Sequence, residues 1–263
     1  MPEIRLWYQS FGIPAELGGY PAALRSHLAE VAGPDVRVEL GGIAESVMAA
    51  KFVRLVQTAD SIAVVRGVLE AEARGFDAAV IGNIFDPGLY EARQLLRIPV
   101  VGLAEAGLLL GRLFAGRLAV VCSNALAIPR VRENAARYGI ASEGLAFYAL
   151  RTDIPSLAAS FSDPAARARI LDEVRELSIS ARGDGCELLL IGSGILNALV
   201  HGDVGALPLP VLDVSAAAVQ LAVTLVRLRQ FAGIGPSRVG TFATPPRDVL
   251  VQIARTYGLT HLP

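Results

Sequence analysis

Residues 77–93, DAAVIGNIFDPGLYEAR, run an unbroken apolar stretch into Gly82 and Asn83, then a turn at Asp86-Pro87-Gly88, then a helical pattern. A strand with no polar alternation is buried on both faces, as in a parallel sheet covered by helices on both sides. Such a sheet presents its ligand-binding groups beyond the carboxyl ends of its strands, and that is where Asn83 falls. An amide is neither an acid nor a base near neutral pH. Asn83 therefore reads as a hydrogen-bonding group, serving an oxyanion or carboxylate or else tying down its own turn.

The same pattern extends in both directions. Apolar runs at 4–10, 36–42, 77–83, 98–103, 116–123, 145–150, 186–193 and 209–214 alternate with helical patterns at 22–32, about 46–74, 128–139, 163–185 and 216–230. Alternation of this kind predicts a parallel α/β architecture. The run DAAVIGN (77–83) recurs as CELLLIGS (186–193), each with an acidic residue near its start and Ile-Gly before a small polar side chain. IPVVGL and LPVLDV follow at matching distances, and RLWYQS (5–10) mirrors RLAVVCS (117–123) upstream. The repeat predicts two pseudo-symmetric lobes, each a parallel sheet flanked by helices, with the site in the cleft between them. The first lobe is expected over 1–101 plus 216–263, the second over 102–215. This arrangement brings Gln9, Ser10, Asn83, Ile84 and Phe85 opposite Cys122, Ser123, Asn124, Ser193 and Gly194, where a small carboxylate or cyclic imide would fit.

The chain has 263 residues, 53% of them hydrophobic and 19% charged, with a formal net charge of −1. That balance describes a well-buried globular protein and gives no electrostatic reason to expect nucleic acid or an anionic membrane as partner. No apolar run reaches the ~20 residues needed to span a bilayer. The first residues lack the basic and apolar regions of a signal peptide, so a cytoplasmic location is expected. Cys122 and Cys186 have neither metal nor redox spacing, and His27, His201 and His261 are scattered, so no metal or organic cofactor is expected. His27, inside the first helix, is expected at the surface.

On the segments IGNIFDPGL (81–89), IPVVGLAEAG (98–107), GRLAVVCSN (116–124), DGCELLLIGSGIL (184–196) and LPVLDVSAAAV (209–219), the chain resembles the aspartate/glutamate/hydantoin racemase superfamily, especially its hydantoin-racemase-like branch. The resemblance implies a small-molecule substrate and a homo-oligomer. It also implies a cysteine after each repeated strand, the two thiols acting as opposed acid/bases on a carbon acid. Here those positions hold Asn83 and Ser193. Neither removes a proton from carbon unaided, which excludes the two-thiol mechanism at these positions.

With both thiols replaced, the favoured expectation is hydrolysis, desulfurisation or lyase chemistry on a small carboxylate, hydantoin-like or thiohydantoin-like ring. Asp213 or Glu45 would activate water, with Asn83 and Ser193 holding the substrate. The first alternative is a racemase or isomerase using non-cysteine bases or Cys122. The second is a non-catalytic protein that binds a small acid. Asp86 reads as a helix cap and Glu105 as a residue that orients site groups or sits in a helical first turn. The Gly/Pro-rich segment 235–249 is expected to pack across the lobes.

Overall fold

The computed structural model describes residues 3–10, 17–43, 47 and 50–262. Among these residues eight strands are formed: β1 (Ile4–Gln9), β2 (Val36–Gly41), β3 (Ala78–Ile81), β4 (Val100–Gly102), β5 (Leu118–Cys122), β6 (Leu145–Ala149), β7 (Leu188–Gly192) and β8 (Val211–Asp213). The helices of the first half are α1 (Tyr20–Ala32), α2 (Arg54–Ala73), α3 (Leu89–Leu95) and α4 (Leu103–Phe114). Those of the second are α5 (Ile128–Arg137), α6 (Ile154–Ala159), α7 (Pro164–Gly183), α8 (Gly194–Val200), α9 (Val214–Ala232) and α10 (Arg247–Tyr257). No helix among the described residues is long and apolar enough to cross a membrane.

Two four-stranded sheets result, ordered β2-β1-β3-β4 and β6-β5-β7-β8, with every pairing parallel. The repeat read from the sequence is therefore a repeat of topology: β3 and β7 hold equivalent places beside the central strands β1 and β5. The strand order reverses between β1 and β3, and again between β5 and β7. That is where an open parallel sheet leaves a crevice at its carboxyl edge.

Three apolar layers make up the interior, and one of them is shared by the two sheets. Trp7, Ala79 and Ile81 face a cluster beneath α2 and α3, and Ala119, Val121, Leu189 and Ile191 face one beneath α7. The alternate residues Leu6, Tyr8, Val80, Val120 and Leu190 all point into a third, continuous core shared by both sheets, together with residues of α1, α4 and α9. The period-two alternation of strand side chains thus gives each sheet an outer core and a share of a common inner one. The chain crosses to the second sheet through α4, which packs on β7 and β8, and returns through α9, which packs on β1, β3 and β4.

The turn at Asp86-Pro87-Gly88 fastens this seam. Asp86 is buried and adopts a left-handed backbone (φ 44°). Its carboxylate accepts hydrogen bonds from the amides of Ala104 (3.0 Å) and Glu105 (2.9 Å) at the start of α4, and from the Tyr138 hydroxyl (2.6 Å) after α5. The cap expected at Asp86 exists, but the helix it caps is α4; α3 itself starts at Gly88 with no side-chain cap. The loop comes this close because β4 ends in Gly102, where a Cβ would meet the Asp86 carboxyl carbon at 2.5 Å. Beside it, Asn134 of α5 donates to the Phe85 carbonyl (2.8 Å), and Arg93 makes a paired contact with Glu105.

Segment 235–249 departs from expectation. It lies along the first sheet's own helices, not across the lobes. Arg238 donates to the carbonyls of Arg93 and Gln94, Gln94 donates to Ala243, and Phe242 packs beside Tyr90. The carbonyls left unpaired as α3 ends attract this guanidinium.

Burial pushes the Asp86 carboxyl up to about 7 from an ordinary 3.8, against the opposing pull of Tyr138 and the two amides. The folded state therefore holds this proton more tightly than the unfolded chain. The stabilisation is complete below about pH 4 and is lost as pH rises through about 7. Asp86→Ala is expected to cost roughly 1–3 kcal/mol near pH 4, since buried donors lose their acceptor. Urea unfolding of both proteins across this range should show the gap shrinking toward neutrality.

Candidate active site

A cavity of about 120 Å³ opens where the carboxyl ends of the two sheets meet. It is lined by Ser10, Tyr20, Lys51, Asn83, Ser123 and Ser193, by the backbone of Gly82 and Gly194, and by apolar side chains including Ile84 and Phe85. The two repeated strand ends come into direct opposition here. A Cβ on Gly194 would sit 3.6 Å from the Gly82 carbonyl and 3.4 Å from the Tyr20 hydroxyl. Gly82 is needed for a tighter reason: a Cβ there would fall 2.0 Å from the ring of Tyr8.

Asn83 serves the turn and the cavity together. Its Oδ1 accepts from the Phe85 amide (2.8 Å), which leaves Nδ2 as the donor of a half-buried side chain that lines the cavity. Ser193 is buried at the N-cap of α8, its Oγ accepting from Leu196 (3.4 Å), so its hydroxyl proton is available to a ligand. Ser10 is hydrogen-bonded to the Tyr20 hydroxyl, and burial pushes Tyr20 up to about 12. Tyr20 is therefore a neutral donor at physiological pH. Lys51 is mostly buried, 3.1 Å from the Asp60 carboxylate; burial brings its pKa down, while Asp60 works in the opposite direction. Tyr20 and Lys51 are the titratable side chains among the described residues lining the cavity.

Four residues expected at the site lie outside it. Gln9 is turned to the far side of its sheet, accepting from Trp7 Nε1 (2.9 Å) and pressed against α2 at Gly67, where a Cβ would meet its Oε1 at 2.1 Å. Asn124 spends its side chain on the short turn that follows, accepting from Leu126 (2.8 Å). Cys122 is fully buried within the shared core, and burial pushes its thiol up to about 12, which disfavours the thiolate at neutral pH. Asp213 caps α9, accepting from Ser215 (2.7 Å) and Ala216 (3.0 Å), with its second oxygen 2.7 Å from His27. It is not among the residues that line the cavity. Glu45 lies outside the described residues.

Tyr20 and Lys51 were not among the expected site residues. Tyr20 follows β1 and Lys51 follows β2, so each belongs to a segment leaving the carboxyl end of a parallel strand. The rule that singled out Asn83 applies equally to them. Neither stands in a repeated motif, and that kept them from view.

Two parallel α/β lobes share one core and enclose, at their facing strand ends, a small, mainly apolar cavity with a few polar groups projecting into it, the form of a pocket for a small organic ligand. The chain belongs to the Asp/Glu/hydantoin racemase family, whose model it matches over residues 20–222. It is 31% identical over 178 residues to a hydantoin racemase of Rhizobium meliloti, covering 68% of this chain and 70% of that protein. It is 28% identical to one from Pseudomonas sp. strain NS671, covering 74% and 75%. The fold is that of an allantoin racemase from Klebsiella pneumoniae, with a TM-score of 0.79 at 24% identity over 93% of this chain and 95% of that one.

These relatives overturn the expectation of hydrolytic, desulfurising or lyase chemistry. The site agrees with the correction, because no carboxylate among the described residues lines the cavity to activate water. The racemase alternative is the better reading, and neither Cys122 nor Asp213, the bases it was expected to use, is among the residues lining the cavity. Both cysteines are buried. Iodoacetamide at neutral pH should therefore leave the folded protein unlabelled and alkylate both thiols after unfolding in urea, as read by intact mass. An adduct on folded protein that peptide mapping places on Cys122 would contradict its burial.

Proposed function

We propose that this protein is a racemase or isomerase that moves a proton at the asymmetric carbon of a small hydantoin-like cyclic amide. Nitrogen and oxygen groups do the work in place of two thiols. The observation that carries the reading is Lys51, an amine of lowered pKa in the cavity wall that also holds Asn83 and Ser193. The relatives named hydantoin racemases and the allantoin racemase fold support the substrate class. A cavity of 120 Å³ has the volume of about four waters, the scale of a five-membered ring with a short substituent.

The proton on a hydantoin's ring carbon is acidified by the adjacent carbonyl. Lys51, once it has given up its ammonium proton, takes the carbon-bound proton, and the C–H electron pair moves into the ring to place negative charge on the carbonyl oxygen. Asn83 Nδ2 and the Ser193 hydroxyl donate to that oxygen as its charge develops. Returning the proton to the opposite face completes the inversion. The donor is Lys51 acting on a turned ring or the Tyr20 hydroxyl, with Ser10 hydrogen-bonded behind it. Carboxylates could not replace these neutral donors, because they would repel the enolate.

An enantiopure 5-substituted hydantoin in D2O should lose its optical rotation while gaining one deuterium per molecule. Lys51→Met is expected to lower kcat by about a hundredfold or more, and Asn83→Ala by about ten- to a hundredfold. The wild-type rate should rise with pH and level off below the ordinary lysine value of 10.5, a limb that Lys51→Met removes. Loss of both cysteines from the repeated positions favours a second reading, a non-catalytic protein that binds a small acid. A hydantoin that raises the melting temperature while its rotation decays no faster than in buffer would decide for that reading.

A further inference from the structure

We propose that His27, His201 and Asp213 form a binding site for a divalent transition-metal ion of the zinc class, set in the seam between the lobes and separate from the cavity. His27 projects from α1, His201 follows α8, and Asp213 stands between β8 and α9. One ligand atom from each lies within 4.8 Å of the other two. None of the three lines the cavity.

His27 is 2% exposed, yet neither of its ring nitrogens completes a hydrogen bond to the described residues. Its Nε2 lies 2.7 Å from Asp213 Oδ2, close enough for an ion pair but misaligned for a hydrogen bond. A buried imidazole with both nitrogens unsatisfied is costly unless something accepts its lone pair. The neighbouring groups are already oriented as ligands. Asp213 commits Oδ1 to the amides of Ser215 and Ala216, which leaves Oδ2 facing His27. His201 holds Nε2 3.0 Å from Glu30, so Nδ1 is the nitrogen left for a ligand. A carboxylate behind a histidine is the usual way to fix a ligating ring and raise its basicity. The two rings lie 4.2 Å apart, centroid to centroid.

Two imidazoles and one carboxylate oxygen are a donor set for zinc and its neighbours, with water as fourth ligand. Donors about 2.0–2.2 Å from a tetrahedral ion sit about 3.3–3.5 Å from one another. The His27–Asp213 pair would open by less than 1 Å to admit it. The consequence is mechanical: the ion would join α1 to α8 and α9. Tyr20 at the start of α1 and Ser193 before α8 line the cavity, so the clamp would hold the facing walls in register.

Purified protein loaded with Zn2+ or Co2+ and then gel-filtered should retain one equivalent per chain by elemental analysis. The Co2+ form should show visible d–d absorption. Zn2+ at a hundredfold excess over its Kd should raise the melting temperature by about 5 °C or more. His201→Asn removes a half-exposed ligand, and Asp213→Asn keeps the Oδ1 cap of α9 while removing the charge. Both should lose the metal and the zinc-dependent shift while melting near the wild-type temperature in chelator. Equal metal retention by wild type and both variants, or no retention and no d–d band in wild type, would overturn the site and leave His27–Asp213 as an ion pair. These readouts do not depend on the reaction proposed above.

Discussion

One buried carboxylate joins the two halves of this molecule. Asp86 leaves the first sheet on a left-handed turn, caps α4, the helix that crosses to the second sheet, and receives the hydroxyl of Tyr138 beyond it. Burying a carboxyl in an apolar seam is unfavourable unless donors converge on it, and here three do. The positive end of α4 adds to their pull. The geometry of the cavity follows from this junction, because the same turn carries Asn83, Ile84 and Phe85 to the second lobe's strand ends.

The inner core makes the junction mutual. Each sheet contributes alternate residues of its central strands to one apolar layer with α1, α4 and α9. The lobes repeat in topology, but they share what stabilises them. Small relative motions of the sheets would therefore disturb packing across the whole interior, which favours a preformed cleft. A wall of neutral donors with one partly desolvated lysine suits a substrate that becomes negative only as it reacts.

The fold was legible because buried parallel strands write themselves as continuous apolar runs, and the repeat of 77–83 at 186–193 paired them. Helix α4 was harder to see, since LAEAGLLLGRLF is apolar on most of its surface and continues from the strand before it. The site was half legible. Ser10, Asn83, Ser123, Ser193 and Gly194 end strands or follow them directly, so strand position located them. Gln9 and Cys122 are also strand-end residues, but their side chains point into the protein. One residue of displacement along a strand reverses the face presented. Tyr20 and Lys51 enter from longer connections whose path no local pattern records.

The repeated sequence by itself determined the architecture, two parallel sheets with their carboxyl ends toward a common cleft, because hydrophobic periodicity dictates which faces must be buried. It also determined that thiol chemistry is absent from the two repeated positions, since that is a matter of residue identity alone. Only the tertiary structure decided which polar groups share a space. Asp213 turned to a helix cap and to His27, Lys51 reached the cavity from the segment after β2, and His27 and His201 met from 174 positions apart. Such meetings depend on how helices cross between the lobes, and packing sets those crossings through contacts remote in the chain.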